Sequence, residues 1–227
     1  YMVELAYENI EGKKGYDAIY REISDYHREE HVDANTVEAD IVSLRIVELL
    51  AEDHFLLSPS TLLGIHRHLF TDVFSEEIPV GKFRKVNITK KEPVLDGDTV
   101  QYSSHFMIQD TLVYDFEREQ NFSYAGLTNE QKTLHAMTFL ADIWQVHPFR
   151  EGNTRTVAVF GIQYLRKLGF HIDNSLFSEH AAYFRNALVL YHYQGEKQDK
   201  QFLKMFFENL LMGKKNILSD EEMYAKK

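Results

Sequence analysis

The chain has 227 residues, 44% of them hydrophobic, enough to bury one substantial core and too apolar for a disordered segment. Its 25 basic residues face 35 acidic ones, a formal charge of -10 with no basic cluster standing out, so nucleic acid is not an expected partner. No apolar run approaches the ~20 residues that span a bilayer and no basic-then-apolar leader opens the chain, so a soluble protein without a membrane partner is expected. The lack of cysteine excludes disulfides, thiol catalysis and thiolate zinc sites, which fits a cytoplasmic location.

Tyr1 ahead of Met2 is expected to be a residue added before the natural start. Residues 1–15 mix charge, glycine and scattered apolar positions and are expected to form a weakly ordered lead-in to a single domain over 16–212. The spacing of Ile19, Tyr20 and Ile23 predicts a short helix over 16–26. Asp33-Ala34-Asn35-Thr36 offers caps for a second over 34–51, where Val37, Ile41, Leu44, Ile46, Val47, Leu49 and Leu50 form a broad buried stripe. Ser58-Pro59-Ser60 opens a third, with Leu62, Leu63, Ile65, Leu69 and Phe70 inward. His66 and His68 sit two apart, poor spacing for a metal on a helix, and are expected to be ordinary surface or half-buried histidines.

Pro79 and Gly81 break the helical pattern, and Phe83, Val86 and Ile88 read as extended chain. Asp96-Gly97 signals a tight turn between Val94-Leu95 and Thr99–Tyr102, so a β-hairpin is expected over 83–103. Helix returns from His105 to about Glu119. Thr128-Asn129-Glu130-Gln131 is a capping box for a helix through Leu134, Met137, Leu140, Ile143 and Trp144. Another runs over about 153–168 and stops at Gly169, and two more cover 178–193 and 200–212, the latter closing at Gly213. Residues 213–227 are charged and expected to be a frayed tail. The expected fold class is all-α, a helical bundle with one β-hairpin.

The stretch His147-Pro148-Phe149-Arg150-Glu151-Gly152-Asn153-Thr154-Arg155-Thr156 packs an imidazole, a carboxylate, a glycine turn, an amide and a guanidinium ahead of an apolar helix. Free N–H groups at a helix start favour an anion. Gly152 lets the backbone approach a ligand, Asn153 can offer side-chain donors, and Arg155 can fork onto a phosphate. The run reads as a phosphate cradle with an attached imidazole. A metal hydrolase using His135, His147 and Glu151 is disfavoured, because the gap between the histidines matches no known ligand spacing.

The same run resembles the signature of Fic-domain proteins, HxFx(D/E)GNGRxxR, matching at His147, Phe149, Glu151, Gly152, Asn153 and Arg155. The resemblance covers about residues 34–210 and implies a Fic fold, with the hairpin as a flap that clamps a target segment by strand addition. It implies a protein adenylyltransferase that moves AMP from ATP to a Ser, Thr or Tyr hydroxyl of a target protein, or of the chain itself, with Mg²⁺. His147 would be the general base, Phe149 a core anchor and Glu151 the Mg²⁺ ligand. Gly152, Asn153 and Thr154 would line the anion hole, and Arg155 would hold the β-phosphate. Pairing of exposed N-terminal helices into a homodimer stays open.

Two signature positions depart from the pattern. Thr154 replaces the second glycine and Ala158 the second arginine, which leaves the γ-phosphate side short of a cation. The family's inhibitory element, (S/T)xxxE(G/N), corresponds to residues 34–39, where only Glu38 matches. Without an arginine at Ala158 to pair with, Glu38 is expected to inhibit weakly or not at all. Tyr183–Leu188 resembles, more loosely, the segment that borders the adenine pocket, and His192 is expected to be an ordinary helix residue. Three other outcomes remain on this scaffold: a Doc-like protein kinase, whose signature has Lys at the Thr154 position; removal of AMP from a modified protein; and a catalytically weak nucleotide-binding regulatory module.

Overall fold

The computed structural model describes Leu5, Glu8, Asn9 and residues 12–225. Among these residues ten α-helices follow one another: α1 (Tyr16–Glu29), α2 (Ala34–Ala51), α3 (Pro59–Phe70), α4 (Ile108–Gln120), α5 (Asn129–Val146), α6 (Asn153–Lys167), α7 (Ser175–Glu179), α8 (Ala181–His192), α9 (Gln201–Met212) and α10 (Asp220–Ala225). Local chemistry sets their starts. The Asp33 carboxylate accepts the N–H groups of Asn35 and Thr36, Ser58 caps α3 ahead of Pro59, and Thr128 with Gln131 closes a reciprocal box at α5.

α5 and α6 form the centre. α5 buries Ala136, Met137, Phe139, Leu140, Ala141, Ile143 and Trp144, and α6 buries Val157, Val159, Phe160, Ile162, Tyr164 and Leu165, too many positions for one stripe, so both helices are enclosed by neighbours. α4, α8 and α9 pack around α5, while α2 and α3 cover α6. Hydrogen bonds tie α2 to α6 at its end: Gln163 Nε2 donates to Leu49 O (2.8 Å) and Arg166 Nη1 to Leu50 O (2.6 Å). No helix among the described residues is long and apolar enough to cross a membrane.

The expected β-hairpin is not formed, and no strand occurs among the described residues. Residues 83–103 are two extended arms around a single 3₁₀ turn, Pro93–Leu95, with Asp96 and Gly97 at positive φ. Glu92 N–H donates to Asp98 O (2.8 Å) and Gly97 N–H to Glu92 O (3.0 Å), and the arms then part. Side chains take the place of a ladder: Arg84 donates to Val86 O (2.8 Å) on one arm and Ser103 O (2.5 Å) on the other, and Asn87 Oδ1 accepts His105 N–H (2.9 Å). With the guanidinium between them the arms are held apart.

The chain ends also differ from expectation. The lead-in lies partly outside the described residues, yet Leu5 is buried against Ile19 and Ile23. Beyond Gly213, which closes α9 at φ 64, the segment does not fray. Asn216 exchanges hydrogen bonds with Asn209 (2.8 Å each way), Asn186 Nδ2 donates to Asp220 Oδ1 (3.0 Å), and Met223 is fully buried in the main core. Charge on the outer face of α10 conceals one apolar anchor. The helix expected over 178–193 is split at His180 into α7 and α8. Met223→Ala is expected to lower stability by about 2–4 kcal/mol in urea unfolding. Tyr224→Ala, beside it on the exposed side, should change stability by no more than about 0.5 kcal/mol.

Candidate active site

α5 ends at Val146, and His147 turns the chain in the left-handed region with φ 51. A helix C-terminus leaves carbonyls without partners, and here a buried guanidinium meets them. Arg84 Nε donates to His147 O (2.8 Å), Arg84 Nη2 to Val146 O (3.3 Å), and the Arg84 backbone N–H to Pro148 O (2.8 Å). A positive charge at this end also suits the helix dipole.

The His147 ring is 3% exposed, with its centroid 4.0 Å from that of Tyr102 and Trp144 edge-on at 5.2 Å. Its Nδ1 lies 3.2 Å from Trp144 O, and because a carbonyl only accepts, Nδ1 carries the proton. Nε2 therefore holds a lone pair, and it is buried without a hydrogen-bond partner. Burial first, then the nearby Lys90 ammonium, pushes the His147 pKa well below the usual histidine range. The ring is a neutral base.

The loop after it is fixed from both sides. Asn153 Oδ1 accepts Phe149 N–H and Asn153 Nδ2 donates to Phe149 O, both at 2.9 Å. This corrects the expectation that the Asn153 amide serves a ligand: it is consumed in holding the loop, and only its backbone N–H remains for an anion. Phe149 is fully buried and stacks on His66 at 3.8 Å. His66 is likewise no surface histidine. Fully buried, it accepts Gly81 N–H at Nδ1 (2.9 Å), donates from Nε2 to Glu151 O (3.1 Å), and burial pushes its pKa down to about 4. Its place one turn from Leu62 and from Phe70 on the inward face of α3 was the signal for this role.

Gly152 has φ 78, and a Cβ there would lie 2.4 Å from Phe70 Cε2, so no other residue fits this turn. α6 starts without a side-chain cap, leaving its first N–H groups for an anion. Thr154 Oγ1 accepts Trp144 Nε1–H (2.9 Å), which turns the side chain onto α5 and leaves the backbone N–H of the replaced glycine in place.

A cavity of about 370 Å³ brings His147, Glu151, Gly152, Asn153, Thr154 and Arg155 together, and adds Lys90, Tyr102 and Arg185. Its three cations each hold a carboxylate: Lys90 with Glu151 (2.9 Å), Arg155 with Glu38 (2.6 Å) and Arg185 with Glu92 (2.5 Å). The expectation that Glu38 lacks an arginine is corrected, since it engages Arg155 instead of a residue at position 158. Glu92 is fully buried and also lies 3.3 Å from the Tyr102 O–H, so the Arg185 pair is fixed. Glu38 and Glu151 are partly exposed and free to exchange.

The sequence reading missed Lys90, Tyr102 and Arg185 as site residues; Arg185 lies within the segment compared with the adenine border. His192 is partly buried and stacks on Trp144, donates to Ala141 O (2.8 Å) and does not line the cavity. His135 pairs with Glu119 (2.7 Å), apart from His147 and Glu151. Among the described residues no group of three or more His, Cys, Asp or Glu can hold a metal ion.

Residues 56–165 match the model of the Fic/DOC family. The chain is 32% identical over 112 residues to protein adenylyltransferase VbhT of Bartonella schoenbuchensis, covering 48% of this chain and 21% of that protein. It is 31% identical over 122 residues to a probable protein adenylyltransferase, y4lH, of Sinorhizobium fredii, covering 49% and 54%. The chain thus spans about a fifth of the first relative and about half of the second. Among solved structures, the BepC effector of Bartonella tribocorum with bound AMPPNP superposes with a TM-score of 0.61 at 20% identity, over 78% of this chain and 85% of that one. The N-terminal Fic domain of an effector from Bartonella sp. AR 15-3 gives 0.61 at 19% identity, over 78% and 81%. The structural likeness carries the helical fold, and the residues that match the Fic/DOC family model, just under half of the chain, run from before α3 to the last turn of α6 and include the loop 147–153: over this part the chain is similar to the Fic/DOC family.

Proposed function

We propose that the chain is a protein adenylyltransferase that transfers AMP from ATP to a Ser, Thr or Tyr hydroxyl of a protein target, including its own. The observation that carries this reading is the unpartnered, buried Nε2 of His147 beside the uncapped start of α6. The acceptor hydroxyl gives its proton to Nε2, its oxygen forms a bond to the α-phosphorus of ATP, and the bond to the departing pyrophosphate breaks. The backbone N–H groups of Asn153 and Thr154 stabilise charge on the phosphates, with Gly152 giving room for the approach. Arg155 takes the β-phosphate once Glu38 releases it.

Mg²⁺ fits as a cation held by one carboxylate and the substrate's own phosphates. Glu151 is half-exposed, its Oε2 meets Lys90, and its Oε1 takes no hydrogen bond among the described residues. When bound, the ion supplies charge stabilisation on the transferring group. Thr154 provides no cation of the kind a Doc-like kinase carries there, so transfer of AMP is the reading preferred over transfer of phosphate.

Incubation with Mg²⁺, labelled ATP and candidate target lysate, followed by mass spectrometry, should show a gain of AMP on modified proteins. His147→Ala should lower the rate by at least about 100-fold, the scale of a lost general base. Undiminished labelling in that variant removes His147 from its role, and a gain of phosphate alone favours the kinase.

Because the His147 pKa is held below its usual value, Nε2 stays unprotonated as pH falls through ~6.5, where a free histidine titrates. The transfer rate should thus stay level, within about twofold, between pH 7.5 and pH 6, and be lost only as pH drops through the depressed value. A steady decline centred near 6.5 contradicts this environment for the base.

Glu38 acts on this reading as a weak brake. Its pair with Arg155 is part-exposed, the kind worth about 0.2–1 kcal/mol. Glu38→Gly should tighten ATP binding by no more than about fivefold in calorimetry. A gain of a hundredfold shows a strong brake, and no gain shows none.

A further inference from the structure

We propose that the groove between α2 and α3 is a second anion site, built for a phosphate group. It has a volume of about 440 Å³ and is lined by Arg45 of α2, by Gly64, Arg67 and His68 of α3, and by Thr71 just beyond that helix. It shares no residue with the cavity at His147, and where that cavity includes Glu151, the groove lining has no carboxylate. In a chain of net charge -10, a recess lined by two guanidiniums and no acid reverses the overall field locally. Nothing in it depends on the adenylyltransferase reading.

The fold braces both guanidiniums. Arg45 Nη1 donates to Leu69 O (3.1 Å) and Thr71 O (2.6 Å), and its Cζ lies 5.5 Å from the ring centroid of Tyr20 on α1. Those carbonyls belong to the end of α3, where the helix dipole disfavours an anion, and Arg45 offsets it. Its Nη2 and Nε form no hydrogen bond among the described residues and remain for a ligand. Arg67 is exposed, and its side chain has no ion pair or hydrogen bond among the described residues. Its stem folds over Gly81, where a Cβ would lie 2.7 Å from Arg67 Cβ and 2.8 Å from its Nε, so a side chain at position 81 would displace it. Glu48 is engaged by His68 Nε2 (2.9 Å), and neither it nor Asp72, which follows Thr71 at φ 60, lines the groove. The Thr71 hydroxyl is spent on Arg67 O (2.7 Å), so the guanidiniums hold the ligand.

Two forks from two helices suit a tetrahedral oxyanion. A carboxylate presents two oxygens and one charge, enough for one guanidinium, whereas a phosphate monoester presents three oxygens and a charge of about -1.5 to -2 at pH 7, enough for both. The ligand is a free phosphate ion or the phosphate of a small ester.

NMR titration separates the groove from the cavity, because the Nε–Hε signals of Arg45 and Arg67 report on their own guanidiniums. At constant ionic strength, inorganic phosphate should shift both signals with a Kd at or below about 5 mM, and acetate should bind at least about tenfold more weakly. O-Phosphoserine distinguishes the two sources: tighter binding than phosphate identifies an ester, and binding no tighter identifies the free ion. Arg67→Gln, an exposed change that removes no hydrogen bond, should weaken phosphate binding at least about tenfold as read at Arg45. Arg45→Lys, which keeps the charge and loses the fork, should weaken it at least about threefold as read at Arg67. Lys82→Gln, exposed beside Gly81 but outside the lining, should change it by less than about twofold. Arg155→Ala, which alters the cavity at His147, should leave both shifts in place. Unshifted Arg45 and Arg67 signals up to ~20 mM phosphate, acetate bound as well as phosphate, full binding in Arg67→Gln, or loss of the shifts in Arg155→Ala overturns the site. Neither nucleotide nor AMP transfer is measured, so this site and the adenylyltransferase reading can each fail without the other.

Discussion

The Arg84 guanidinium is the contact on which the site's geometry depends. It is 2% exposed and meets no carboxylate; its side-chain donors all go to backbone carbonyls, at Val86, Ser103, Val146 and His147. A desolvated charge without a counter-ion is costly, and the dipole of α5 together with fixed carbonyl dipoles offsets it. The same donors fix three things at once: the end of α5, the backbone of His147, and the separation of the two arms. A lysine, with a single compact ammonium, could not fork onto so many acceptors.

Around that contact the loop 147–153 is assembled from neutral, rigid parts. The Asn153 amide copies a backbone pairing across Phe149, His66 bridges Gly81 and Glu151 as a neutral donor and acceptor, and Phe70 leaves space for no side chain at position 152. Such a loop has few ways to relax, so the His147 lone pair and the α6 N–H groups keep their relative placement before any ligand arrives. Preorganised dipoles of this sort cost no reorganisation when charge develops.

Much of this was legible in the sequence, for identifiable reasons. Helix periodicity and capping chemistry are local, which is why Asp33, Ser58 and Thr128 mark helix starts correctly. Gly152 and Phe149 read correctly because a turn glycine and a loop aromatic each have one common use. The errors arise where a distant side chain decides. Arms that alternate like strands are parted by Arg84, Asn153 loses its amide to Phe149, and Met223 is drawn into a core that α10's charges conceal. Glu38 pairs with Arg155 and not with the position the signature points to, because spacing within a signature says nothing about which arginine a helix across the site will reach.

The charge arrangement of the cavity bears on how an acidic protein could hold a polyphosphate. Each of its three cations is already matched by a carboxylate, so an entering phosphate exchanges partners instead of adding to a bare positive site. Exchange is cheap only where the carboxylate can return to water. Glu38 and Glu151 are part-exposed and can do so; Glu92 is fully buried and cannot, because a carboxylate left unpaired there would keep its full desolvation cost. Arg185 is accordingly held in one position by Glu92, while Arg155 and Lys90 are the cations that can change partners. On the adenylyltransferase reading, the grip on a polyphosphate then depends on how weakly Glu38 and Glu151 hold them.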